Sequence, residues 1–153
     1  MQNTQINLDV LIFDFNRLGF GLTGDHGIPS DMSNETVIIT ALLNPMPRLL
    51  EGIPVLLKKA PIDYPALKDL LNKHKIWNRF GYFGDFMTKN SDNPELNALV
   101  EYCRTQDKPA CDISGLKNAY FKGFRSEKEK EWNLLGTPSY AGLEKQFRRY
   151  CFE

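Results

Sequence analysis

The first group of residues that could take part in chemistry is a glycine-rich segment. Residues 19–24, GFGLTG, match the GxGxxG spacing of dinucleotide-binding loops. That chemistry requires a helix to begin directly after the loop, so that its N–H groups and its dipole meet the pyrophosphate. The next residues, DHGIP at 25–29, cannot readily begin a helix, and Asp25 would repel an anion. We therefore interpret residues 19–24 as a helix exit and loop, and we predict no cofactor.

A second group is His26 beside Asp25, since a carboxylate can orient an imidazole for base catalysis or metal binding. The chain has only one other histidine, His74. Its cysteines are odd in number, lack CxxC spacing and are expected to be reduced thiols. We therefore predict no metal site and no catalytic residues, and an enzyme that gathers distant acids around His26 is a remote alternative. The cysteines are Cys103, Cys111 and Cys151.

Basic and aromatic residues alternate in the C-terminal third, as they do on surfaces that bind single-stranded nucleic acid. Residues 117–153 carry eight basic and five acidic side chains, whereas the whole chain is balanced at 19 of each. The same pattern describes an ordinary amphipathic helix with a solvated face. Nucleic-acid binding is therefore the alternative function, with candidate residues Lys122, Arg125, Lys145 and Arg149.

The composition of the chain indicates a globular protein. Of the 153 residues, 42% are hydrophobic and 25% are charged, which is enough to form one hydrophobic core. We predict a single domain over residues 1–153. The sequence contains no signal peptide and no apolar run long enough to cross a membrane, so we expect a cytoplasmic protein without membrane contacts.

The elements that position these residues are predicted to be mainly α-helical, and residues 45–87 organise them. This stretch contains three amphipathic segments, whose apolar residues recur at helical spacing. Pro54 lies deep in the first segment and predicts a kink or two short helices. Asp63 is expected to cap the second helix. In the third segment, Gly81 and Gly84 either permit close approach of another helix or break the segment into a turn.

Further helices are predicted on both sides of that stretch. They cover residues 6–18, the segment after Ser33 (where 36–40 also has strand propensity), the segment from Pro94, and a final helix opened by Thr137 and Pro138. Residues 106–114 are predicted as loop, and residues 130–136 as the place of a small β element. The expected fold is thus a stack of short helices arranged as hairpins, with a short irregular solenoid as an alternative.

Part of the sequence resembles a known family. Residues 48–57 (RLLEGIPVLL), 62–71 and 78–83 (NRFGYF) resemble the antitoxicity region of AbiEi-type abortive-infection antitoxins, and residues 130–135 (KEWNLL) are similar to a late segment of such proteins. The resemblance implies a non-catalytic protein that binds and counters a nucleotidyltransferase toxin. No winged-helix domain is evident in the sequence, which departs from the family pattern and leaves operator binding without support.

We therefore expect an interaction or regulatory protein. Arginine, tyrosine and tryptophan dominate the energetics of protein interfaces, so residues of these types are the natural contact candidates. Each has the alternative role of a packing or solvated residue. The predicted partner contacts are Arg79, Tyr82, Trp132 and Arg148.

Overall fold

A computed structural model describes residues 14–15, 17–18, 32–113 and 125–151. The GxGxxG segment, Asp25, His26 and Lys122 lie outside these residues, as does most of the helix predicted over 6–18, of which Asp14, Phe15 and Arg17 are helical. The described part is mainly α-helical, as the sequence predicts, and its helices share one hydrophobic core. In chain order the elements are α1 (Asn34–Leu43), α2 (Pro47–Lys59), α3 (Tyr64–His74), α4 (Trp77–Thr88), α5 (Pro94–Arg104), β1 (Cys111–Asp112), α6 (Glu127–Trp132), β2 (Leu134–Leu135) and α7 (Tyr140–Cys151).

Local side-chain caps fix the beginning of four of these helices, α1, α3, α5 and α6. The hydroxyl of Ser33 accepts a hydrogen bond from the Thr36 N–H at 3.1 Å, so residues 36–40 are helix and not strand. The carboxylate of Asp63 accepts from Ala66 N–H at 3.1 Å. Each cap satisfies a backbone donor that has no partner inside its helix. These helix starts were predictable because both partners lie within one turn of sequence.

Helix α2 continues through Pro54, so of the two expected outcomes, a kink or two short helices, the second is wrong. A proline at this depth removes one backbone hydrogen bond and costs about 3 kcal/mol or more. Burying one large aliphatic side chain contributes about 1.5 to 3 kcal/mol. Several such side chains on one face of α2 are buried, which outweighs the penalty. They are Leu49, Leu50, Ile53, Leu56 and Leu57.

Helix α4 lies at the centre of the packing, against α2, α3, α5 and α6. Gly81 and Gly84 are both inside it, so they permit close approach and do not form a turn. The ring of Trp132 from α6 fills the space where a side chain of Gly81 would lie. A Cβ at Gly84 would meet a methyl group of Val100 on α5 at 2.6 Å. The two glycines therefore place α6 and α5 directly on the α4 backbone.

The C-terminal elements α6, β2 and α7 pack against earlier parts of the chain. β2 forms where the small β element was expected, but Trp132 lies in α6, and β1 lies in the segment predicted as loop. The strands pair in parallel, with Cys111 opposite Leu134. Helix α7 then packs on α2, burying Leu143 and Phe147. This contact between elements distant in sequence differs from a solenoid, in which each repeat packs only on its neighbours.

Candidate interaction surface

Two large hydrophobic side chains of the described residues are exposed, and both lie at the turn between α1 and α2. Leu43, the last residue of α1, is 36% exposed, and Met46, the N-cap of α2, is 40% exposed. Asn44 and Pro45 between them are half-buried. Single exposed hydrophobic residues are ordinary, but these two lie within four residues of each other at one turn. We call the surface formed by Leu43, Met46, Arg48 and Arg79 the α1–α2 corner.

Arg79 reaches this corner from α4. Its Nη1 donates a hydrogen bond to the carbonyl oxygen of Leu42 at 3.0 Å. Helix α1 has no basic residue in its last turn, so Arg79 supplies the cation that stabilises the carbonyl end of the helix. The remaining N–H donors of the guanidinium point to no carboxylate of the described residues.

Arg48 adds a second positive charge at the same corner. It is exposed and lies in the first turn of α2, where the helix has no acidic residue and where Met46 makes no side-chain capping bond. A helix N-terminus carries partial positive charge and unpaired N–H groups, and usually attracts an acid. Here a cation lies there instead, and no acidic side chain of the first turn offsets its charge.

Tyr82 and Trp132, predicted as partner contacts, are 1% and 0% exposed. In this conformation neither side chain reaches the surface, so direct contact with a partner is not the role that the fold gives them. The Trp132 backbone carbonyl also accepts a hydrogen bond from the Asn78 side chain at 3.0 Å. Both aromatic residues pack α6 and the segment before α7 against α4.

Asp85 on α4 forms the centre of a charged cluster beside Trp132. Its side chain is 3% exposed, and its carboxylate oxygens accept from Arg104 at 2.8 Å, from Lys128 at 2.8 Å and from the indole N–H of Trp132 at 3.2 Å. Glu131 pairs with both cations at the rim. Burial alone would raise the pKa of Asp85, but the bonds from Lys128 and Trp132 and the charge of Arg104 outweigh it and lower this pKa. The cluster is a structural tie between α4, α5 and α6.

Two tyrosine hydroxyls connect α4 with the segment that leads into α7. The Tyr82 hydroxyl donates to the carbonyl oxygen of Pro138 at 2.6 Å, and the Tyr140 hydroxyl donates to the carbonyl oxygen of Tyr82 at 2.7 Å. Burial raises the pKa of Tyr82 to about 12. The pKa of Tyr140 is also raised, by burial and by the negative charge of Asp85. Both hydroxyls therefore remain protonated donors at neutral pH.

The other predicted contacts lie on or near α7. Arg148 is exposed and its Nε donates to Glu144 at 2.5 Å. Lys145 and Arg149 are exposed one turn apart, on the side of α7 away from the core. Arg125 is half-buried and lies 3.3 Å from the Asn133 side-chain oxygen, so its guanidinium contributes to local structure. The structure thus brings together Lys145 and Arg149 but not Arg125.

An open groove of about 770 Å³ lies between the end of α2 and the loop before α5, lined by polar side chains that include Lys58, Lys89 and Asp92. Lys58 and Lys59 also act electrostatically on Cys151, the last residue of α7. Basic residues in the last turns of α2 and α7 stabilise the carbonyl ends of these helices. Stabilisation of the helix ends therefore accounts for these basic residues, without a ligand in the groove.

Within the ranges that the structure describes, no group of histidine, cysteine and acidic side chains is arranged to hold a metal ion. No described helix is long and apolar enough to span a bilayer. Cys103 is buried, and burial raises the pKa of its thiol to about 12, which keeps it protonated.

Comparisons with known proteins give no match to this chain among family models, curated proteins or solved structures.

Sequence reasoning missed Asp85, Leu43 and Met46. The position of Asp85 inside the aromatic segment WNRFGYFGDFM was a detectable sign, because an acid among buried residues needs cationic partners. Leu43 and Met46 carry no such sign. Only the packing of α1 and α2 decides that these two apolar residues, among many, are exposed.

Proposed function

We propose that this chain is a non-catalytic regulatory protein that acts in the cytoplasm by binding a partner protein. The observation that carries the proposal is the α1–α2 corner, where exposed Leu43 and Met46 lie beside Arg48 and Arg79. Apolar side chains beside arginine form the kind of patch around which protein interfaces are built.

The identity of the partner is suggested by the resemblance to AbiEi-type antitoxins. Arg48 begins the first resembling segment and Arg79 belongs to the third, residues 78–83, so two of the four corner residues fall within it. A nucleotidyltransferase toxin is therefore the first partner to test. The exposed Arg148 on α7 is a second contact candidate, outside the corner.

The test is a pull-down of the tagged full chain from its native host lysate at low salt, with bound proteins identified by mass spectrometry. A stoichiometric protein partner, retained after nuclease treatment, is the expected result. An Asp85→Asn variant, altered inside the fold, is expected to retain the partner, whereas the double variant Leu43→Ser with Met46→Ser is expected to lose it. If no protein is enriched over an empty-tag control, the proposal is wrong.

A second candidate function is binding of single-stranded nucleic acid. The observation that favours it is the exposed pair Lys145 and Arg149, one turn apart on α7. Binding through these residues would weaken steeply as salt is added, because phosphate contacts release counterions. A gel-shift titration at two salt concentrations, repeated with Lys145→Ala and Arg149→Ala, tests this function. No shift at low salt would exclude it.

A further inference from the structure

The α1–α2 corner has a chemical preference that follows from its charges. Among the described arginines, Arg17, Arg104 and Arg148 pair with carboxylates, whereas Arg48 and Arg79, like Arg125 and Arg149, have no ion pair with a carboxylate of the described residues. The corner therefore has two cations without a carboxylate partner in the described part of the fold, and one of them, Arg79, also bonds to the carbonyl end of α1.

The first turn of α2 adds to the same potential. Pro47 has no N–H, and among the described residues the first N–H of α2 with a backbone partner is that of Leu50, which bonds to the carbonyl oxygen of Met46 at 2.9 Å. The helix has neither a side-chain cap nor an acid in this turn. A carboxylate of a binding partner could accept hydrogen bonds from backbone N–H groups in this turn. The helix dipole and the Arg48 side chain would attract the same carboxylate.

The apolar part of the corner requires that the same partner also provide apolar side chains. Leu43 and Met46 flank the turn, so a partner that covered them would bury apolar area while its carboxylates approached Arg48 and Arg79. Methionine adapts to partners of irregular shape because its side chain is unbranched and polarisable.

We propose that the α1–α2 corner binds an acidic, apolar segment of a partner protein, with aliphatic or aromatic side chains against Leu43 and Met46 and carboxylates at Arg48, Arg79 and the first turn of α2. This inference rests on the proposed function and adds the location of the interface and the chemistry of the partner. Charge complementarity selects the acidic segment over a basic or neutral one, because like charges at the corner would repel it.

The experiment uses a display library of linear peptides, randomised at every position and selected on the immobilised full chain. Enriched peptides are expected to combine Asp or Glu with Leu, Ile, Phe or Trp. Their affinity, measured by fluorescence anisotropy, is expected to fall about tenfold or more for Arg48→Glu, since this change reverses the charge at the corner. The substitution places an acid in the first turn of α2, which favours the helix, so loss of folding does not explain the result.

The matched control is Lys89→Glu, which makes the same change of charge on an exposed residue at the opposite end of α4 from Arg79. Its affinity for the selected peptides should equal that of the original chain. Enrichment of basic or neutral peptides, no enrichment, or equal loss in both variants would overturn the inference. Self-association of the chain that Arg48→Glu abolishes would replace it with a homodimer interface.

Binding of the captured partner to the Arg48→Glu variant tests this inference separately from the proposed function. If the pull-down yields a protein that Arg48→Glu still binds at full affinity, the function stands and the assigned surface is wrong. If no protein is captured and acidic peptides still bind in an Arg48-dependent way, the surface stands and the regulatory function is wrong.

Discussion

The six-membered ring of Trp132 lies against the backbone of Gly81, in the place that a side chain at position 81 would occupy. α6 can approach α4 this closely only because position 81 has no Cβ. The indole N–H then reaches Asp85, one turn further along α4, at 3.2 Å. The glycine thus determines where the indole lies, and the indole contributes to holding the charged cluster.

The first prediction concerns Gly81→Ala. Alanine favours a helix interior by about 1 kcal/mol, but its methyl group overlaps the buried ring of Trp132, and overpacking of this kind costs about 1 to 3 kcal/mol. We expect net destabilisation in urea unfolding. Gly142→Ala in α7 is the control, because its Cβ would meet only Ser139 Oγ at 3.4 Å. That variant is expected to gain about 0.5 to 1 kcal/mol, and equal effects in both variants would contradict our account of Gly81.

The second prediction concerns Asp85→Asn. The change leaves Arg104 and Lys128 without their buried partner, and we expect a loss of about 2 to 3 kcal/mol, less than for a fully buried pair because both cations are partly solvated. Because folding lowers the pKa of Asp85, its contribution is present above the unfolded pKa and is lost as the pH falls through the folded pKa. Unfolding free energies measured from pH 7 into the acid range should therefore decline less in Asp85→Asn than in the original chain. Parallel declines would show that Asp85 is not stabilised by its partners.

The third prediction concerns Tyr82→Phe. The substitution removes the hydrogen bond to Pro138, and we expect a loss of about 1 kcal/mol. Since burial raises the pKa of Tyr82 from 10.0 to about 12, its protonated form contributes stability fully below pH 10 and loses that contribution as the pH rises toward 12. Denaturant unfolding across this range should decline more steeply for the original chain than for Tyr82→Phe. A steeper decline in the variant would reverse the assignment.

The fourth prediction separates stability from binding at the α1–α2 corner. Met46 is the N-cap of α2 without a capping bond, and serine at that position would supply one. We expect Met46→Ser to raise the free energy of unfolding by about 1 kcal/mol and, at the same time, to weaken binding of the partner, since it removes exposed apolar area. Thermal unfolding and the partner pull-down measure the two effects. A variant that is more stable and binds fully would exclude Met46 from the interface.

Most of the helices were predictable from sequence because their determinants are local, but α6 was not predicted, although its capping box of Ser126 and Glu129 is local too. The hydroxyl of Ser33 and the carboxylate of Asp63 each bond to an N–H three residues later, and the apolar faces of α2, α3 and α5 repeat at helical spacing. The strands were harder to predict from sequence. The two-residue β1 exists only because it pairs with β2, more than twenty residues away.

The candidate site was harder to predict from sequence than the helices, because it depends on tertiary structure. Arg79 was chosen by residue type, but its position beside Leu43 follows from a bond that spans 37 residues of sequence. Trp132 was chosen for the same reason and is buried, because residue type alone does not distinguish an interface anchor from a core residue. Charge and aromatic content indicate which residues can bind, while packing decides which of them are accessible.

The carboxamide of Asn78 has a consequence for the order of folding. Its two N–H groups donate to the carbonyl oxygens of Pro109 at 2.8 Å and Trp132 at 3.0 Å, which lie 31 and 54 residues later in the chain. Closing loops of this length loses chain entropy before any contact compensates it. Once α4 has formed, one side chain presents both donors from a rigid helix, so closure of the first loop reduces the entropic cost of the second. We therefore expect α4 to form before the C-terminal third docks on it.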